Sequence, residues 1–407
     1  MKNCGKRIAA LLLLICFWTA GCAAGAEAAE AKETGTGPAG EPTNGVLNEE
    51  RQTLGLSRAQ IQTQRLSPQR LRLTWPDTLD GQVETYFVKR CEVRRDGQPG
   101  EWALVGEIAS DGSATGAPVT FLDALPEAAA KQFLYVIDLE PRDSTKAFCV
   151  QSQPVLASNL MVCIDPGHYA GVNQIENGYT EGDAMLCLGE TLRAELKENY
   201  GIDSCMTRTD GTITLGGYSD ESLDSAHLSL RGAYAGEAAC DLFVSLHSNA
   251  NEDHANGYPT CAQPIGINKP VLLLNEPACE SETALRAANA IGAQLAQASF
   301  QCGVGATAAF EPALPHEIKP WTEAYNDGLD LPGSVFLRRD REGREYYGVL
   351  RGAAEVGVPG IIIEHGMHTV PEVRKAAVEG DLLTRWAEAD ARGIAQGFGF
   401  LACAALS

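Results

Sequence analysis

Three stretches of this chain are apolar almost without interruption and then stop on a side chain that can bind a metal or move a proton. Leu160-Met-Val-Cys-Ile runs into Asp165-Pro-Gly-His168, Asp241-Leu-Phe-Val-Ser-Leu runs into His247, and Gly360-Ile-Ile-Ile runs into Glu364. A strand that is apolar at every position has to be covered on both faces, which is the condition of strands inside an α/β sheet. The intervening sequence supplies the covers. Met185, Leu188, Leu192 and Leu196 recur at helical spacing within 182–198, and 230–239, the Ala-rich 281–300 and 383–401 also read as helices. Residues 203–208 read as a further strand. Strands alternating with helices predict an α/β domain over 160–407.

The chain before this domain has a different character. Arg70-Leu-Arg-Leu-Thr-Trp75 alternates, as does most of Glu84 to Val93, and Val119 to Asp123 and Gln132 to Asp138 follow, with turn signals at Asp96-Gly97 and Asp111-Gly112. Short strands separated by turns predict a small all-β sandwich over 58–155. The spacing of Trp75, Tyr86, Phe121 to Asp123 and Tyr135 resembles a fibronectin type III module, a class that spaces or binds. Residues 23–57 are mainly Ala, Gly, Glu, Thr and Pro and read as a flexible tether. Its Gly35-Thr-Gly-Pro-Ala-Gly40 fits a nucleotide fingerprint in letters only, because no strand precedes it and no helix follows. At the start, Lys2, Lys6 and Arg7 precede the apolar run Ile8 to Trp18 and then Thr-Ala-Gly-Cys22, the order of an export signal over 1–22. A cysteine directly after Ala20-Gly21 resembles a bacterial lipoprotein signal, which implies lipidation at Cys22; simple secretion is the alternative. No later stretch is long and apolar enough to span a bilayer.

Ligands of open α/β sheets gather at the carboxyl ends of the strands, where His168, His247 and Glu364 all fall. Glu181 opens the helix after the first strand, where the helix dipole favours a carboxylate. Two imidazoles and a carboxylate are a common catalytic zinc set. Each residue alone has an ordinary structural explanation. Glu364 is the hardest to explain so, since three isoleucines deliver a carboxylate into a buried setting where it needs a metal, a partner or a proton.

Taken in order, Ile164-Asp-Pro-Gly-His168, Asn177-Gly-Tyr-Thr-Glu181, Thr207-Arg-Thr-Asp210, Leu230-Arg231, Asp241 to Ala250 and Gly360 to Gly366 resemble the zinc-dependent N-acetylmuramoyl-L-alanine amidases called amidase type 3. The resemblance implies a central mixed sheet flanked by helices and one zinc ion held by His168, Glu181 and His247. It implies Glu364 as the catalytic carboxylate and peptidoglycan as substrate, cut between N-acetylmuramic acid and L-alanine. Glu176 competes for the carboxylate ligand position. An exported enzyme anchored through Cys22 to the outer face of the cytoplasmic membrane would meet that polymer in the bacterial cell envelope. Arg231, Asn249 and His365 are candidates for touching substrate or supporting the ligands, with a structural ion pair expected of Arg231.

The sequence also departs from the family. His365 and His368 follow the catalytic Glu, and 251–346, with His254, His316, Trp321 and Tyr325, reads as a long insertion that forms a cleft wall, a regulatory lid or a solvated excursion. Ten of the thirteen cysteines lie beyond Cys22. Cys163, Cys187 and Cys240 sit in apolar runs and read as buried small hydrophobes. Cys91 and Cys149 either pair or remain two free thiols. No Cys-x-x-Cys occurs, so cysteine metal ligation is not expected. A net charge of -21 excludes nucleic acid, which calls for stripes of Lys and Arg. Zincin and serine-hydrolase chemistry are disfavoured, since His316-Glu317 has no second His at the required spacing and there is no G-x-S-x-G elbow. The rival readings are a zinc peptidase acting on another cell-wall amide and an inactive wall-binding protein.

Overall fold

The computed structural model describes residues 52–405 apart from 78–81, 113–116, 146, 150, 176–177, 251–267, 306–309, 315–319, 322–333 and 341. The leader with Cys22, nearly all of the tether, and Glu176, His254, His316 and Tyr325 lie outside the described residues.

The N-terminal region is all β. A three-stranded antiparallel sheet holds β1 (Gln62–Ser67), β2 (Arg70–Pro76) and β5 (Pro118–Ala124) in the order β1-β2-β5. A four-stranded antiparallel sheet holds β3 (Val83–Glu92), β4 (Ala103–Ala109), β6 (Gln132–Pro141) and β7 (Val155–Ser158) in the order β4-β3-β6-β7. The alternation read from β2 is real: Leu71, Leu73 and Trp75 are buried and meet Tyr86, Val88, Tyr135 and Ile137 of the second sheet in one core.

The second region is built on a seven-stranded mixed sheet. It contains β8 (Met161–Pro166), β9 (Asp203–Met206), β10 (Leu242–Asn249), β11 (Val271–Leu274), β12 (Pro320–Trp321), β13 (Val335–Arg338) and β14 (Gly360–Met367) in the order β9-β8-β10-β14-β11-β13-β12. All pairs are parallel except β11 with β14. Helices cover both faces, as the continuous apolar strands require. Helices α1 (Glu181–Tyr200), α4 (Glu282–Gln301) and α7 (Leu382–Phe398) share one core with Val162, Ile164, Ile361 and Ile363. On the other face α3 (Ser229–Glu237) and α5 (Gly348–Glu355) cover Cys163, Phe243 and Ile362. The helical period read in 182–198 is this burial: Met185, Leu188, Leu192 and Leu196 are fully buried. Helix α1 stops at Gly201, whose left-handed backbone (φ 67°) returns its N–H to the carbonyls of Leu196 and Lys197.

Residues 251–346 are not a simple excursion from this body. Val271 to Leu274 form a fully buried strand registered against Glu364 to Ile361, and α4 supplies Ala288, Ile291 and Leu295 to the main core. Of the two alternatives for Cys91, the free buried thiol is the one found. One correction concerns cysteine: Cys187, expected as a small core hydrophobe, is half-buried and disulfide-bonded.

The β region and the α/β region are joined by polar contacts. Arg65 of β1 donates from Nε to Asn159 O (3.0 Å), from Nη1 to Ala239 O (2.7 Å) and from Nη2 to Asp241 Oδ2 (3.2 Å). Gln132 donates to the carbonyls of Tyr200 and Leu401, and Lys197 of α1 donates to Thr63 O.

Candidate active site

The end of β8 is held by a buried carboxylate. Asp165 accepts from Thr207 Oγ1 (2.5 Å) and Arg231 Nη1 (2.7 Å) on Oδ1, and from Ser245 Oγ (2.7 Å) on Oδ2. Three of the ordered motifs therefore meet on one side chain that never reaches solvent. Arg208 adds a second tie, donating to the carbonyls of Pro166, Gly167 and Gly182 and so fixing the turn after β8 against the start of α1. Two glycines make that approach possible. A Cβ on Gly167 would stand 2.5 Å from Cε1 of His247, and one on Gly182 would stand 1.9 Å from Tyr169 O.

His168 follows in the left-handed region (φ 59°), a strained position for a non-glycine residue. The strain is held from two sides. Arg231 Nη2 donates to His168 O (2.6 Å), and Asp224 Oδ2 lies 3.2 Å from His168 Nδ1 while its Oδ1 accepts from Arg231. The Nε2 of His168 is left facing Glu181, 3.6 Å from Oε2. Arg231 is thus the structural ion pair expected, almost fully buried between Asp165 and Asp224. Sequence reading missed Asp224; its only signal was a carboxylate beside the buried Leu223 in an otherwise polar stretch.

Glu181 is buried and saturated with contacts. Oε1 accepts from the Ser248 backbone (3.0 Å) and lies 3.1 Å from His247 Nδ1; Oε2 accepts from Asn173 Nδ2 (2.7 Å). Burial works against its charge, but the His247 contact and the neighbouring imidazoles hold its pKa down to about 2. Asn173 was also missed by the sequence reading; it sits in a left-handed turn (φ 52°) that folds over the site.

His247 and Glu364 are register partners on the parallel strands β10 and β14, so their side chains leave the sheet on the same face. The two imidazole rings, His168 and His247, lie edge to face with centroids 5.0 Å apart. Oε2 of Glu364 is shut off from solvent and has no hydrogen-bond partner among the described residues. Burial first, and the negative Glu181 second, push the Glu364 carboxyl up to about 8. Two carboxylates in one site are therefore driven apart, one firmly ionised and the other near neutrality, the pattern that separates a ligand from a proton carrier.

The remaining candidates behave differently. His365 projects away from Glu364 into the core, where Nε2 lies 2.7 Å from Asp390 Oδ2, Nδ1 lies 2.8 Å from His247 O, and the ring packs on Trp386. It cannot touch substrate; it braces the backbone of His247. Asn249 accepts from the Ala250 backbone through its side chain and from the His368 backbone through its carbonyl. His368 is buried, with Nδ1 2.9 Å from Ser248 Oγ and its ring stacked on Tyr179.

The donor chemistry fits a zinc ion. One nitrogen from each of His168 and His247 and one oxygen of Glu181 lie within 4.8 Å of one another. His247 Nδ1 stands 3.1 Å from Oε1 of Glu181 and His168 Nε2 stands 3.6 Å from Oε2, each near the spacing of about 3.3 Å between ligands of a tetrahedral zinc, so the two imidazoles flank the carboxylate from its two oxygens.

Comparison with known proteins gives a family and a set of likenesses. Residues 162–396 match the amidase type 3 profile, described as N-acetylmuramoyl-L-alanine amidase. No curated protein sequence matches. Among solved structures, the chain is similar to the catalytic domain of the amidase CwlV from Bacillus (Paenibacillus) polymyxa var. colistinus (18% identity, 58% of this chain and 97% of that one, TM-score 0.37). It is also similar to the amidase AmiC2 of Nostoc punctiforme (19%, 59% and 97%, 0.36) and to Ami1 from Mycobacterium smegmatis (18%, 59% and 97%, 0.40).

Proposed function

The chain belongs to the amidase type 3 family, the N-acetylmuramoyl-L-alanine amidases, and on that footing we propose that it hydrolyses the amide between N-acetylmuramic acid and L-alanine of peptidoglycan as a zinc enzyme. The observation that carries the reading is the pairing of a His168–Glu181–His247 donor set with a carboxylate, Glu364, that has no partner among the described residues and stands one strand away on the same face. His168, Glu181 and His247 would hold the ion, which when bound polarises an amide carbonyl and makes hydroxide available near neutral pH.

The chain's own residues supply the rest. Glu364 accepts the proton of the attacking water on Oε2 and hands it to the nitrogen of the departing L-alanine, so the amide bond breaks as the carboxylic acid of the lactyl group forms. Burial raises the Glu364 carboxyl in the metal-free protein, and the positive charge of a bound ion would draw it back down, leaving a carboxylate able to take the water's proton. Asp224 orients His168 through Nδ1, Asn173 and the Ser248 backbone orient Glu181, and the His365–Asp390 pair fixes the carbonyl of His247. The basic, apolar and small-residue leader ending at Cys22 supports export, with lipid anchoring at that cysteine, to the side of the membrane where peptidoglycan lies.

The test is digestion of purified peptidoglycan with and without a chelator, followed by mass spectrometry. Stem peptides with a free L-alanine amino terminus, absent from the chelated sample and restored by zinc, are the expected result. Cleavage at a peptide cross-link instead would make the protein a wall peptidase, and intact muropeptides from zinc-loaded protein would leave only wall binding.

A further inference from the structure

Away from the active site, at the amino-terminal ends of the same strands, three cysteines distant in sequence converge. Cys163 of β8 is the register partner of Cys205 of β9, and Cys240 lies in the turn that enters β10. Their sulfurs all lie within 4.8 Å of one another, those of Cys205 and Cys240 only 3.4 Å apart, and all three are free thiols. No His, Asp or Glu joins the group among the described residues. Cys163 and Cys240 belong to one core cluster with Ala235 and Phe243, with Met161, Cys205 and Tyr234 packed against it. The positive charges of Arg193 and Arg65 act on Cys205 and Cys240 respectively. Cys163 and Cys240 are buried, whereas Cys205 is partly open to solvent and provides the way in.

We propose that Cys163, Cys205 and Cys240 form a binding site for one soft, thiophilic cation of the class of monovalent copper, separate from the His168–Glu181–His247 site.

The donor set selects the ion. Thiolate sulfur prefers soft cations, and hard ions such as magnesium or calcium have no oxygen ligand here. Structural zinc takes four ligands, and only three are offered. Three sulfurs around an ion at bonds of about 2.3 Å would stand about 4 Å apart, within the span of this cluster. Each thiol that binds the ion does so as a thiolate and releases its proton to water. Arg65, whose guanidinium is fixed to Ala239 O and Asp241 beside Cys240, offsets the negative charge that accumulates.

The experiment uses the full chain, reduced and kept under anaerobic conditions, titrated with cuprous ion against bicinchoninate as a coloured competitor. One tightly held equivalent with a sulfur-to-copper charge-transfer band in the near ultraviolet is expected. Cys205→Ser and Cys163→Ala should each weaken it by about tenfold or more, while His168→Ala and Cys91→Ser retain it. Cys205 is partly exposed, so its Ser variant decides the matter even where Cys163→Ala fails to fold. Equal copper in the wild type and Cys205→Ser overturns the proposal. So does a disulfide between Cys205 and Cys240 in the purified protein, found by mass spectrometry after thiol blocking.

Discussion

Buried carboxylates occur in both regions of the molecule, but they are treated in opposite ways. In the β region Asp123 receives Arg90 Nη1 at 2.6 Å and the Tyr135 hydroxyl at 2.5 Å, and Asp77 receives the hydroxyls of Tyr86 and Ser110. Every one of those charges is answered locally. In the α/β region Asp165 and Glu181 are answered as well, and Asp390 and Glu345 each have one orphaned oxygen but are tied through the other to His365 and Arg339. Glu364, by contrast, has neither a hydrogen bond nor an ion pair among the described residues. A fold can satisfy a buried carboxylate when its role is structural. One left unsatisfied, beside a metal-type donor set, is available to a substrate.

That contrast can be broken by experiment. The largest effect is expected from Glu364→Gln, which keeps the shape but cannot carry a proton; amide hydrolysis should fall by about 10²–10⁴-fold with zinc content unchanged. Residual activity within a few-fold of wild type would remove Glu364 from the chemistry. Asp123→Ala should do the reverse, leaving hydrolysis per folded molecule intact while costing about 3–5 kcal/mol in denaturant unfolding, because Arg90 loses its buried partner. A pH comparison sharpens the distinction. In chelator-treated protein the Glu364 carboxyl titrates near 8 when folded and near its ordinary value of 4.5 when unfolded. The unfolded chain therefore gains its charge first, and the wild type loses stability as pH rises between those values. Glu364→Gln has no such loss, so its melting temperature should match wild type at pH 4 and exceed it at pH 9. Equal pH profiles would mean that the carboxyl is not held neutral. The smallest effect is expected of Asp224→Asn, which weakens the orientation of His168; about 10-fold or more should be lost from zinc affinity, with little change in the rate of the zinc-saturated protein.

The sequence was most readable where burial imposes a period. The apolar runs of β8, β10 and β14, the Leu192 and Leu196 face of α1, and the alternation of β2 each have one physical interpretation, and the structure follows it. The convergence of His168, Glu181, His247 and Glu364 was legible because strand ends on one side of a parallel sheet gather in space. What the sequence hid was whatever depends on two distant segments meeting. Asp224 lies in the short helix Asp220–Ala226 and Asn173 in a turn, neither long enough to show a period of its own. Cys163, Cys205 and Cys240 come from three different strands or turns and match no short-range spacing. His365 is the neighbour of Glu364 in sequence, although strand alternation sends it to the opposite face, towards Asp390. Within 251–346 the Ala-rich helix was readable, whereas Val271 to Leu274 form a strand too short to stand out among polar and Pro-rich neighbours.

The register between His247 and Glu364 has one more consequence. Adjacent parallel strands fix the distance between these two residues by the spacing of the sheet, whatever polypeptide connects them. The hundred or so residues between them in the chain can therefore be lengthened, shortened or exchanged at their loops without resetting the reacting geometry. A deletion of one residue inside β14, by contrast, turns Glu364 to the other side of the sheet. Selection for new wall substrates, or an engineer grafting them, has freedom in the loops and almost none in the strands.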